Sequence, residues 1–98
     1  MIVITGSVQL RPEHIDAAIA LGIEHSRRSR AEPGCIAHNC QIDAESPSRI
    51  VFVEEWADIA AVKQHFAVPE SGEFVRAMTA MAVAPPEMKL LEAREINP

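Results

Sequence analysis

Apolar residues alternate from the start of the chain. Ile2, Ile4, Val8 and Leu10 share one side, with Gly6 in their gap, and Val3, Thr5, Ser7 and Gln9 take the other. A period of two predicts a strand over 2–10. Pro12 suits a first helical turn, where a missing N–H costs nothing. Beyond it Ile15, Ala18, Ile19, Gly22 and Ile23 recur at helical spacing, predicting an amphipathic helix to about Arg30. Glu32-Pro33-Gly34 stops it. Alternation returns over 35–43, with Ile36, His38, Cys40 and Ile42 in phase. It returns again over 49–56, where Ile50, Phe52, Glu54 and Trp56 are in phase. The connection between them contains Pro47 and reads as a short hairpin-like link. Asp58 is placed to cap a helix whose stripe is Ile59, Val62 and Phe66. Pro69 interrupts that helix, and Ser71-Gly72 predicts a small break. Helical spacing resumes through Phe74, Val75, Met78, Met81 and Ala82 to Pro85-Pro86, and 87–96 predicts a last strand.

The order βαββαβ predicts an α+β, ferredoxin-like split βαβ arrangement: an antiparallel sheet with helices on one face, as a single domain over 1–98. The helix-free face would carry Val3, Thr5, Val51 and Val53. An apolar face of that kind predicts pairing with a second copy, a homodimer. A formal net charge of -5 argues against nucleic-acid binding, and the basic cluster Arg27, Arg28 and Arg30 suits a solvated helix C-terminus. No apolar run is long enough to span a bilayer and no leader pattern opens the chain, so the expectation is no membrane contact and a cytoplasmic protein. Cys35 and Cys40 are an odd number of residues apart. Their side chains are expected on opposite faces, without a disulfide and without zinc-type spacing.

Three segments together, Glu32-Pro33-Gly34-Cys35, Val53-Glu54-Glu55-Trp56-Ala57-Asp58 and Ala61-Val62-Lys63-Gln64-His65-Phe66 with Pro69 three residues on, resemble the antibiotic biosynthesis monooxygenase family. This quinol-monooxygenase-like group consists of dimeric α+β barrels. The resemblance implies a pocket between helices and sheet in each protomer, and oxygenation of quinol-like aromatics without metal, flavin or other cofactor. The chain departs from the family pattern in two places. Glu70, Ser71 and Gly72 stand where a second histidine and an aromatic often follow the proline, and Phe52 stands where an asparagine often precedes the tryptophan by four.

The candidate bases are His38, on the inward face of the second strand, and His65, which matches the family histidine; imidazole titrates near neutrality. Trp56, Phe52, Glu54, Phe66 and Met78 are the candidate substrate-binding residues. Trp56 is either an aromatic wall with a free indole N–H or a core plug. Glu54, a carboxylate in phase with it, must be paired or have a raised pKa. His14 and His25 lie on the first helix without partners in view and are expected at the surface. No His/Asp/Glu set has metal-ligand spacing in sequence, although His38 and His65 could meet in space. With no tyrosine, a tyrosyl mechanism is excluded. The expected activity is cofactor-independent oxygenation of a small aromatic phenol or quinol. The alternatives are a non-catalytic dimeric module that binds a small molecule and, on the same fold, haem degradation.

Overall fold

A computed structural model describes every residue, Met1–Pro98. Strands β1 (Ile2–Gln9), β2 (Cys35–Asp43), β3 (Ser46–Trp56) and β4 (Glu87–Glu92) form one antiparallel sheet in the order β2-β3-β1-β4. Helices α1 (Ile15–Arg30), α2 (Ile59–Ala67) and α3 (Pro69–Met81) pack on one of its faces. The α1 crossover carries the chain from β1 to β2 and leaves the gap that β3 fills. This is the ferredoxin-like arrangement expected from the element order.

Local chemistry sets the element ends. Pro12 opens a short 3-10 turn that feeds α1. The Asp58 carboxylate accepts the Ala61 N–H at 2.9 Å and caps α2. Gly34, at φ 81°, turns the chain after α1. Its carbonyl accepts the Ala57 N–H at 2.8 Å, and a Cβ there would stand 2.5 Å from the Ala61 Cβ. The Glu32-Pro33-Gly34 turn is thereby docked under the start of α2.

Four sequence expectations change. The helical break falls at Val68, not at Ser71-Gly72. Val68 is extended (φ −65°, ψ 125°) because the following proline disfavours its α conformation, and α3 begins at Pro69 itself. Strand β3 starts at Ser46, reducing the connection to a tight turn in which Asp43 accepts the Glu45 N–H at 2.9 Å. Strand β4 ends at Glu92 instead of 96. Its partner Ile2 opens β1, and only the bonds between Met1 and Ala93 follow. Finally, the β2–β3 register shifts between Cys35 and Ala37. That extra residue reverses the parity of β2, so both cysteines face the helices. Cys35 packs near Trp56 and Ala61, while Cys40 lies beneath Gly22 of α1. Both thiols are free, and burial pushes both pKa values up.

The interior has two apolar clusters. Val8, Leu10, Ala18, Ile50, Phe52 and Met78 form one, and Ile2, Ile4, Trp56, Ala61 and Val62 form the other. Glu54, between Phe52 and Trp56 on β3, belongs to neither. It anchors a buried polar layer with His25, Ser26, Ser29, His38, His65 and Ser71. Burying so many polar groups is costly unless they are paired, and their pairing defines the site.

Candidate functional site

Three histidines from three elements converge in this layer: His25 from α1, His38 from β2 and His65 from α2. One nitrogen of each lies within 4.8 Å of the others. His25, expected at the surface, is 5% exposed. It points inward because positions 18, 22 and 25 share the buried stripe of α1. Its ring stacks on Phe74 at 3.9 Å and meets His38 edge-on at 5.0 Å. Gly22, one turn earlier, permits this approach of α1 to the sheet, since a Cβ there would lie 2.7 Å from the Cys40 Sγ.

Each imidazole has its Nδ1 occupied. Arg28 Nη2 donates to His25 Nδ1 at 2.7 Å, so the ring hydrogen of neutral His25 is on Nε2. His65 Nδ1 lies 2.8 Å from the Glu32 carboxylate, which makes it the donor and leaves the Nε2 of the neutral ring as an acceptor. His38 Nδ1 shares a 2.8 Å hydrogen bond with Ser26 Oγ, and its Nε2 is buried with no hydrogen-bond partner. Glu54 Oε1 accepts the Trp56 indole N–H at 3.0 Å and lies 3.4 Å from His38 Nε2 and 3.9 Å from His65 Nε2.

Burial dominates the electrostatics. It lowers the pKa of His25 to about 3, reinforced by His38, His65 and Arg28. His38 is likewise lowered to about 3, by burial and then by His65, Arg30 and Arg28. Burial raises the pKa of Glu54, against the opposing pull of the Trp56 hydrogen bond and His65. The His38–Glu54 contact is therefore not an ion pair near neutral pH: the imidazole there is uncharged.

A cavity of about 390 Å³ opens beside this layer, between α1, α3 and the β1 and β4 side of the sheet. His65, Glu54, Phe52, Phe66 and Met78 line it, so five of the seven expected site residues meet around one cavity. His38 and Trp56 do not. Trp56 is fully buried in the second apolar cluster and its N–H is spent on Glu54, so it is a core residue that orients the carboxylate. His38 stands one layer behind, against Glu54. Sequence reasoning missed His25, Phe74 and Ser71, all of which line the cavity. For His25 the signal was present, since it falls on the helical stripe of Ala18 and Gly22. Ser71 and Gly72, from the stretch after Pro69 that departs from the family pattern, both line the cavity.

A family model described as antibiotic biosynthesis monooxygenase matches residues 1–77. The chain belongs to that family. The matched span holds His25, His38, Glu54 and His65, whereas the cavity wall from Met78 to Met88 lies beyond it. A solved structure described as an antibiotic biosynthesis monooxygenase is 29% identical, with a TM-score of 0.89 over 97% of this chain and 100% of its own. A structure from Deinococcus radiodurans, 22% identical, reaches a TM-score of 0.94 over 100% of this chain and 97% of its own, a likeness of fold. A Synechocystis protein described as uncharacterized is 32% identical over 94 residues, and this chain spans 64% of its length. No helix here is long and apolar enough to cross a membrane.

Proposed function

We propose that this family member is a monooxygenase whose substrate is a small phenol or quinol held in the 390 Å³ cavity, with His65 as its base. The supporting observation is the Glu32–His65 pair. A 2.8 Å bond from Nδ1 to a carboxylate fixes the ring of a residue that lines the cavity and leaves Nε2, 3.9 Å from Glu54 Oε1, as its free nitrogen. The surrounding wall of Phe52, Phe66, Phe74 and Met78 suits an aromatic ring, and Ser71 Oγ, buried without a partner, offers a hydrogen bond to its oxygen.

His65 Nε2 takes the phenolic proton. The phenolate passes one electron to dioxygen, and the radical pair combines through a new carbon–oxygen bond at an unsubstituted ring carbon ortho or para to the phenolic oxygen. The His65 imidazolium returns its proton to the peroxide. Loss of water from the resulting hydroperoxide removes the ring proton at that carbon and leaves a second carbonyl. One phenol or quinol and one dioxygen give one quinone carrying one new oxygen, and one water. The substrate supplies all four electrons, so the reaction calls for no cofactor. Exclusion of water by the apolar wall keeps the phenolate reactive. His38 does not touch the cavity and acts as a positioning residue through Glu54.

The partner in this reading is a second copy of the chain, joined through the helix-free face that bears Val3, Thr5, Val51 and Val53. Oxygen uptake with a panel of quinols and anthrones tests the function. Uptake above the autoxidation rate that falls with Glu32→Gln supports it, and uptake equal to autoxidation overturns it. A compound that raises Tm but is recovered unchanged in air would assign binding without oxygenation.

A further inference from the structure

The polar layer has a second capability, independent of the oxygenation reading. His38 Nε2 and His65 Nε2 face the same Glu54 oxygen, at 3.4 and 3.9 Å. Two nitrogen or oxygen donors at zinc-ligand distance from a tetrahedral ion stand about 3.4 Å apart. The His38–Glu54 separation already matches, the His65–Glu54 separation exceeds it by about half an ångström, and one nitrogen of each imidazole lies within 4.8 Å of the other. The far nitrogen of each imidazole is held as in metal-ligand histidines: Glu32 fixes His65 Nδ1 and Ser26 fixes His38 Nδ1. The Trp56 indole donates to the same Glu54 oxygen that faces the two imidazoles, occupying one lone pair and orienting the carboxylate. The His38 Nε2 atom, in a fully buried side chain, has no hydrogen-bond partner in the protein.

We propose that His38, His65 and Glu54 form a site for one divalent transition ion, with its open coordination side toward the cavity. Two imidazoles and a carboxylate suit zinc, cobalt, nickel or iron better than calcium or magnesium, which prefer oxygen donors. His25 stands beside the ion and is not a ligand. Arg28 occupies its Nδ1, so its Nε2–H can only donate, to a water or anion on the ion's cavity side. Coordination takes the His65 lone pair that would otherwise accept a proton, so the ion-bound and base-competent states exclude each other.

Tag-free protein treated with a chelator, then dialysed free of it, is titrated with Zn²⁺ by calorimetry and with Co²⁺ by visible absorption. The expected result is one ion per chain and cobalt d–d bands of a low-coordinate nitrogen–oxygen site. His65→Ala and Glu54→Gln each weaken Zn²⁺ binding by at least tenfold, whereas Glu32→Gln, acting from behind the ligand, weakens it about 10–100-fold. His14→Ala leaves it unchanged. Circular dichroism of each variant separates lost ligands from lost fold. Absence of stoichiometric binding, or binding that survives both His65→Ala and Glu54→Gln in folded protein, overturns the proposal. The readouts are binding and spectra, so their failure leaves the oxygenation reading intact, and absence of oxygen uptake leaves this site intact.

Discussion

Replacing His25 with phenylalanine should make the ion-free protein markedly less sensitive to acid. His25 and His38 are held neutral, with pKa values lowered to about 3 from an ordinary 6.5. Between those values the unfolded chain binds protons that the folded chain refuses, so stability falls as pH drops from about 6.5 toward 3. At pH 5 an unfolded histidine has gained about 2 kcal/mol from protonation while its folded counterpart has gained almost nothing. That figure depends only on the folded pKa lying well below 5. Two such histidines amount to about 4 kcal/mol, a large part of a small domain's stability. Glu54 works the other way. Its raised pKa means the folded state binds a proton more readily than the unfolded chain, so acidification restores some stability there. The groups facing this pair are Arg28 and Arg30 from α1, His65 from α2 and Glu54 from β3. They remain in the variant, so a difference between wild type and His25→Phe cancels their contributions to first order. Phenylalanine retains the stack on Phe74, which limits collateral loss of packing. Urea unfolding at pH 7 and pH 5 in chelator-treated buffer measures it. Wild type should lose about 2 kcal/mol more than His25→Phe over that interval. Equal losses would refute the buried, neutral state of His25.

Three further predictions concern the scaffold. Gly34→Ala combines a left-handed φ with a Cβ 2.5 Å from Ala61, and should cost about 2–4 kcal/mol by chemical denaturation. No measurable loss would show that the turn is not docked on α2. Gly22→Ala should destabilise by up to about 2 kcal/mol, overpacking against Cys40 and Phe52 outweighing the gain in helix propensity. Adding Cys40→Ala should recover much of that loss, and strict additivity in the double-mutant cycle would contradict the contact. Val53→Asp, on the helix-free face, should shift the proposed dimer to monomer in sedimentation velocity, and an unchanged sedimentation coefficient would remove that face from the interface.

The fold was legible because its signals are local and mutually consistent. Alternation, helical stripes, Pro12, Asp58 and Pro69 each act within a few residues of themselves. The departures arose where a partner element decides. Strand β4 stops where β1 runs out, and one extra residue at the start of β2 overturns the facing expected of Cys35. The site was half legible. Glu54 and Phe52 could be placed on an inward face by period alone, and His65 by its match to the family histidine, since the expected α2 stripe of Ile59, Val62 and Phe66 gave way to Ala61, Val62 and His65. Period does not reveal which inward residues meet a cavity and which meet another side chain. His38 and Trp56 share faces with cavity residues and still lie behind the wall. His25 was lost because a histidine among arginines and serines near a helix end reads as solvated. Only the packing of α1 against β2, with its close approach at Gly22, turns it inward. The spacing of the three histidines in sequence likewise carries no trace of their meeting, since each comes from a different element.

The central claim is that the cavity beside the Glu32–His65 pair oxygenates a phenolic ring. Its most direct measurement is dioxygen consumption in chelator-treated buffer with a phenol or quinol that stabilises the protein, comparing wild type with His65→Ala and Glu32→Gln, with ¹⁸O₂ to trace the incorporated atom. The account predicts wild-type uptake above autoxidation, one ¹⁸O in the quinone product, and a loss of rate of about 10²–10⁴-fold in His65→Ala. Uptake at the autoxidation rate, or product oxygen drawn from water instead of ¹⁸O₂, would contradict it.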